Sequence, residues 1–363
     1  MAKQLESDRI LFGAVAALVL FGCLMVYSAS AVLAAEQFGS SYHFLARQAF
    51  WAVLGLMVMI VMMNVDYTRL ASPVVVFPAL AVEIGLLVAV LFAAPSHKAH
   101  RWLRWGGASF QPSELAKLVT VIFIAYFLET RRKDINDWRH TLAPVAMVAG
   151  ATVLLVLKEP DLGTSLAILL IVAAMLFAAG MRLRYFTYSA LAAFPVLYLL
   201  VFHVAYRYKR VMAFLDPYAD PRGVGFQIIQ SMIAVGTGGI FGVGLMDGKQ
   251  KLFFLPEPQT DFIFAVIGEE LGLAGSLAVI ALFALILVRG LRAATRCRNE
   301  FGRLLAAGLT VMVVGQALVN ISVVVGVLPT KGIPLPMLSY GGSSLVMNLA
   351  AMGILLNISQ HAS

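Results

Sequence analysis

The sequence predicts an all-α integral membrane protein: ten transmembrane helices, with a long extracytoplasmic loop, about 206–260, between the seventh and the eighth. Two observations carry this. Of the 363 residues, 61% are hydrophobic and only 13% charged, with a mean hydropathy of +0.88, far more apolar than a soluble globular domain. Apolar runs of about 17–25 residues, each able to cross a hydrocarbon core of about 30 Å, also recur along the chain.

The runs lie near 10–34, 46–63, 73–94, 113–129, 142–157, 163–180, 187–205, 262–289, 304–327 and 345–360. The first follows Lys3 and Arg9 and ends in SASAVLAA, an imitation of a secretory signal. Its length and the runs that follow mark it as a retained anchor. No soluble domain, low-complexity tract or repeat interrupts the series, so 1–363 reads as one polytopic domain. Cys23 lies inside the first run and Cys297 in an Arg-rich loop, which implies no disulfide framework. The net charge of +8 comes from basic residues that flank apolar runs. Anionic headgroups account for them, and no nucleic-acid partner is expected.

With the N-terminus in the cytoplasm, the inner segments hold fourteen Lys and Arg, against six on the outer segments once the long loop is set aside. The orientation rule is weakest for such loops, so both termini are expected in the cytoplasm. The polar motifs then collect outside: KAHRWLRWGGASFQPSELAK (98–117), KEPDLGTS (158–165), FLDPYADPRGVGFQIIQS (214–231), LPEPQTDF (255–262) and LPTKGIPLPMLSYGGSS (328–344). Chemistry on that face has no direct access to ATP, and no GxxxxGK[ST] phosphate loop is present.

Each motif admits a structural and a functional reading. Pro112 and Ser113 are ordinary helix-start residues. Glu114 and Lys117, three apart, can simply pair, yet Lys117 stands in an apolar run, where an ionisable group is a functional candidate. Arg101, Arg104, Trp102 and Trp105 suit an outer interfacial belt. Asp161 either caps a helix or touches substrate. His97 and His100 lack further ligands at metal spacing, and Gly268 with Gly272 suggests close helix packing. Residues 271–288 nearly span a bilayer alone, which puts Glu269 and Glu270 at the outer boundary; these two and Glu257 stay unassigned between cavity-lining and structural roles. Asp261, at a helix N-terminus, is either a cap favoured by the helix dipole or a base. A base beside Lys117, Arg101 and the basic stretch 207–210 suits transfer from a donor whose leaving group is a phosphate ester.

In their order and spacing these five motifs closely resemble the SEDS family (shape, elongation, division and sporulation), the bacterial cell-wall proteins of the FtsW and RodA types. The resemblance covers nearly the whole chain. LPTKG looks like the division branch, FtsW, with the elongation branch, RodA, left open. The resemblance implies an enzyme of the bacterial cytoplasmic membrane that polymerises lipid II into glycan strands on the outer face. It also implies work with a class B penicillin-binding protein and other division-complex membrane proteins. By motif position, Asp261 is the catalytic acid, inferred as the general base for the acceptor hydroxyl. The anomeric centre inverts in one displacement, and a pyrophosphate leaves without the protonating acid a glycosidase needs. Lys117 and Arg101 are assigned to the pyrophosphate, Glu114 to holding Lys117, and Asp161 to substrate contact. Ser339, Gly341, Gly342 and Ser343 are assigned as donors to sugar or peptide, although a tight turn would need the same glycines. No cofactor or metal site is implied; a divalent cation beside the pyrophosphate is left open. The competing readings are a lipid II flippase and a non-catalytic division scaffold.

Overall fold

The computed structural model describes residues 8–93, 101–105, 108–252 and 254–361; Lys3, His97 and His100 lie outside the described residues. In chain order the elements are α1 (Arg9–Phe38), α2 (His43–Asn64), α3 (Pro73–Leu91), β1 (Leu103–Trp105), β2 (Ala108–Phe110), α4 (Pro112–Thr130), α5 (Ala143–Lys158) and α6 (Leu162–Ala178). There follow α7 (Leu183–Phe202), α8 (Ala205–Leu215), α9 (Phe226–Thr237), α10 (Ile263–Arg296), α11 (Glu300–Val324) and α12 (Gly342–His361). Among the described residues eight helices are long and apolar enough to cross a membrane, and the chain is a multi-pass membrane protein. Each of the ten apolar runs lies on a helix, although α4 is not among the eight and α6 is a shorter apolar helix of 17 residues.

The helix ends follow local chemistry. Asp8 opens α1 by accepting from the backbone N–H groups of Ile10 and Leu11, both at 3.1 Å, and Gly39 closes it in a left-handed conformation at φ 69°, the conformation that glycine adopts without penalty. Asp8 also pairs with Arg289 at 2.5 Å, tying the start of α1 to the far part of α10. In the bundle α11 packs against α10, α6 and α4, and α12 against α2. Burial is uneven: much of α11 and α12 is inside, whereas α7 buries no residue. The outer faces carry exposed Leu20, Phe50, Val74 and Met147, as expected where the solvent is lipid.

Two departures from the expected architecture concern polar segments. The chain is not purely α: Leu103–Trp105 pairs antiparallel with Ala108–Phe110. Apolar and polar residues alternate along both strands, Leu103-Arg104-Trp105 and Ala108-Ser109-Phe110. Nor is 206–260 a bare loop, because α8, α9 and a short 3-10 turn at Pro217–Ala219 lie within it.

After α9 the chain turns back against α10, which is broken at Gly272 (φ 66°, ψ −158°). A break in an apolar helix strands backbone groups that must find other partners, and the returning segment supplies them. Val243 and Gly244 donate to the carbonyls of Glu269 and Glu270 (3.0 and 3.1 Å), while Leu273 and Ala274 donate to those of Gly239 and Ile240 (2.9 and 3.0 Å). Gly272 therefore breaks the helix and also packs closely, its Cβ position falling against the Gly242 nitrogen and 2.7 Å from the Ile240 carbonyl, while that of Gly268 lies 3.2 Å from the Val235 side chain of α9.

The same fold-back corrects the expected position of the two glutamates. Glu269 and Glu270 are buried, at 3% and 0% exposure. Glu269 accepts from the backbone N–H of Lys249 (2.7 Å) and Gln250 (3.2 Å). Glu270 receives Ser28 Oγ at 2.6 and 2.7 Å, the Met246 N–H at 3.1 Å and Lys251 Nζ at 2.6 Å. Burying a charge demands such saturation. Replacing Lys251 with Met leaves Glu270 buried and unpaired, and is expected to cost about 3–5 kcal/mol. The double change Lys251→Met with Glu270→Leu recovers most of that loss, as read by thermal unfolding in detergent.

Candidate functional site

A cavity of about 1390 Å³ opens at one end of the bundle. Its wall is built from the C-terminal end of α1, the N-terminal ends of α2, α4, α6 and α12, the β-hairpin, and the stretches 257–261 and 332–342. The N-terminal ends of α4, α6 and α12 thus point their positive dipole ends toward one space. Arg101, Glu114, Lys117, Asp261, Gly341 and Gly342 line it. Asp161, Ser339 and Ser343 stand behind the lining.

Asp261 sits one residue before the N-cap of α10, which is Phe262 and makes no side-chain cap. Its backbone is clamped from two sides. The Asp261 carbonyl accepts from Asn320 Nδ2 at 2.8 Å, and the same amide donates to the Ile333 carbonyl at 2.7 Å. Just before it, the Thr260 carbonyl accepts from Ser339 Oγ (2.5 Å) and the Gln259 carbonyl from the Tyr340 N–H (2.8 Å). Among the described residues the carboxylate itself has no hydrogen-bond partner. Burial, then the neighbouring Glu257, push its pKa up to about 7, against the opposing pull of Arg210. The helix dipole was expected to favour the charged form; desolvation outweighs it.

The expected cations are placed differently from one another. Lys117 is buried, 2.9 Å from Glu114 and 2.5 Å from Gln316 Oε1, and Gln316 in turn donates to the Pro334 carbonyl at 2.9 Å. Its charge is already matched at the cavity floor. Arg101 is partly exposed and hangs from the α5–α6 link, donating to the carbonyls of Glu159 (3.2 Å) and Pro160, with Asp161 4.0 Å away. Asp161 caps α6, accepting from the Thr164 N–H (3.0 Å) and hydroxyl (2.9 Å). Ser339 Oγ, besides reaching Thr260, accepts from the Leu335 N–H at 2.8 Å. Ser343 Oγ accepts from the Gln111 N–H at 3.3 Å. The Ser339 hydroxyl is thus engaged as both donor and acceptor, whereas Ser343 Oγ accepts and, among the described residues, keeps its own proton uncommitted.

Several residues of the site were not singled out by sequence. Lys331, inside LPTKG, is partly buried, and desolvation lowers its pKa against the pull of Asp161. Glu159 is fully buried, with neither carboxylate oxygen hydrogen-bonded. Burial, then Asp161, push it up to about 8 while Arg101 opposes. Gln316 and Asn320 stand four apart inside the apolar α11, a polar signal in a membrane helix that pointed to them. Trp102 lines the cavity rather than standing only in an outer belt. Among the described residues no three His, Cys, Asp or Glu side chains are grouped to hold a metal ion.

The fold and cavity define a multi-pass membrane protein with a polar site at one end of its helical bundle. Residues 8–363 match the model of the cell cycle protein family of FtsW, RodA and SpoVE, and the chain belongs to that family. It is 44% identical over 361 residues to a probable peptidoglycan glycosyltransferase FtsW of Geobacter metallireducens, covering 98% of this chain and 96% of the relative. Stage V sporulation protein E of Bacillus subtilis is 40% identical over 365 residues, covering 99% of each. Among solved structures, a chain from a study of how a peptidoglycan synthase complex coordinates polymerization and crosslinking superposes with a TM-score of 0.80 at 33% identity, covering 98% of each chain. The rod shape determining protein RodA of Thermus thermophilus gives 0.72 at 28% identity, covering 98% of this chain and 97% of RodA.

Ser339→Ala removes the hydroxyl that joins the 335–340 turn to Thr260. The expected result is a loss of about 1–3 kcal/mol in stability and, in a glycosyl-transfer assay, a lower kcat with KM nearly unchanged, because the carboxylate of Asp261 is no longer held in register.

Proposed function

We propose that this chain is a peptidoglycan glycosyltransferase that polymerises lipid II, with Asp261 as the general base. The observation that carries the reading is one carboxylate, free of hydrogen bonds among the described residues, in a large cavity faced by Arg101 and the positive ends of three helices. A base with a pKa near the working pH combines the correct protonation state with useful proton affinity. In the proposed step the acceptor sugar's hydroxyl gives its proton to Asp261 as its oxygen bonds to the donor's anomeric carbon. The bond to the lipid pyrophosphate breaks, and the pyrophosphate departs with the electron pair and is stabilised by the surrounding cations. Inversion follows from that single displacement.

Arg101 offers two-pronged contact to the phosphates, while Lys117, matched by Glu114, positions Gln316 at the cavity floor. Asp161 serves through the α6 cap and its field on Arg101, and Gly341 and Gly342 keep the rim low enough for a sugar to enter. A divalent ion, where one takes part, would arrive with the substrate pyrophosphate, and no step requires it. The ten helices on the apolar runs are read as ten spans, with the 206–260 connection and the cavity outside and both termini in the cytoplasm; the Lys and Arg distribution supports this. The FtsW-named relatives favour the division branch. The similarity to a member of a peptidoglycan synthase complex supports a class B penicillin-binding protein as partner, alongside other division proteins. The ion pair Asp8–Arg289 ties α1 to α10 at the end opposite the cavity, which favours an enzyme over a flippase.

The test is glycan formation from lipid II by the purified chain with its transpeptidase. Asp261→Asn is expected to lower turnover by about 10²–10⁴-fold at unchanged folding and complex yield; equal product from both proteins would remove Asp261 as the base. The wild-type pH profile gives an independent reading. The base works deprotonated, so kcat/KM should fall about tenfold per pH unit below the pKa of about 7 and level off above it.

A further inference from the structure

Beside the large cavity lies a second space of about 210 Å³, a mainly apolar groove between α6 and α11. Leu166 and Leu170 of α6 form one side, and Met312, Gly315 and Val319 of α11 the other. It exists because Gly315 has no side chain: a Cβ there would only just touch Leu170 (3.5 Å) and Val311 (3.7 Å), leaving a trough between the helices. The next helix, α7, buries none of its residues, and Leu170 is 46% exposed. The groove therefore opens toward hydrocarbon beside Leu170. At one end it changes character. Lys331 stands there, and Ala167, Gln316 and Ile333 line both the groove and the reaction cavity. Among the described residues the Lys331 ammonium pairs with no carboxylate.

We propose that this groove seats the polyprenyl tail of the lipid substrate where the tail meets its pyrophosphate, with Lys331 at the junction of chain and phosphate. The inference rests on the glycosyltransferase reading and names where its substrate is held. An apolar trough ending in an unmatched cation, and sharing its end wall with the catalytic cavity, fits an amphiphile whose headgroup reacts while its tail stays in the membrane. An ordinary phospholipid in the same trough would place its phosphate in the reaction cavity and block the site. Because the tail is already in hydrocarbon, the groove gains by close packing and not by the hydrophobic effect, so its contribution to affinity is modest.

A photoactivatable long-chain polyprenyl pyrophosphate, added to the wild-type complex in nanodiscs, should cross-link to 166–171 and 311–319. The site should be protected by unlabelled polyprenyl pyrophosphate and not by excess phosphatidylglycerol. Gly315→Phe fills the trough and should raise KM for a long-tailed donor about three- to tenfold with kcat unchanged, without raising KM for a short-tailed analogue. Labelling on other helices, equal protection by phosphatidylglycerol, or an unchanged KM in Gly315→Phe would overturn the proposal. Should Gly315→Phe fail to fold, Leu170→Trp fills the groove from the opposite wall, and the wild-type cross-linking needs no variant. A wild-type protein that turns over neither donor would instead sink the glycosyltransferase reading, while the cross-linking would still decide the groove.

Discussion

The buried pair Lys251–Glu270 is the contact on which the geometry around Asp261 depends. Glu270 lies just before the break in α10 and gathers Ser28 of α1, the Met246 N–H and the Lys251 ammonium at 2.6–3.1 Å. One carboxylate thereby fixes the returning segment to two helices. Asp261 is carried on the short path between Lys251 and Glu270, so its height above the bundle is set by that anchor. Its lateral position is set by Asn320 on one side and the Ser339 turn on the other. The cavity needs this because nothing holds the Asp261 carboxylate directly, and a side chain without its own partners keeps its place only through its backbone.

The site works by contrasts of solvation. Asp261 is raised by burial and by Glu257, whereas Asp161, a short distance away, is occupied as a helix cap and faces Arg101. One acid is thus poised to exchange a proton near neutral pH while the other spends its charge on structure. The cations divide in a similar way: Lys117 is locked to Glu114, whereas Arg101 lines the large cavity and Lys331 the groove beside it. Such separation of roles among similar groups is the means by which one pocket can hold both a base and an anion site.

Much of the helical frame was legible in the sequence, because the apolar runs are long and their ends carry recognisable capping and turn residues. Family membership was legible from five ordered motifs. What escaped was non-local. Glu269 and Glu270 look like boundary acids until the segment around 243–251 folds back on them, and no spacing rule connects Glu270 with Ser28, 242 residues away. Gly272 reads as half of a packing motif, and sequence does not reveal that it also breaks the helix, the carbonyls so freed finding partners in the returning segment. The structural ties of Ser339 were also out of reach, because the Leu335 N–H and the Thr260 carbonyl that engage its hydroxyl are brought to it only by the fold. Lys331 and Gln316 gained significance only when two cavities were seen to meet there.

The central claim is that the fold keeps the Asp261 carboxyl protonatable near neutral pH, and its ionisation can be observed directly. Aspartate-selective ¹³C labelling, with the signal assigned by its loss in Asp261→Asn, follows that one group through a pH titration of the intact complex. The account predicts a midpoint at about 7. A carboxyl that ionises near the ordinary aspartate value of about 3.9 would contradict it.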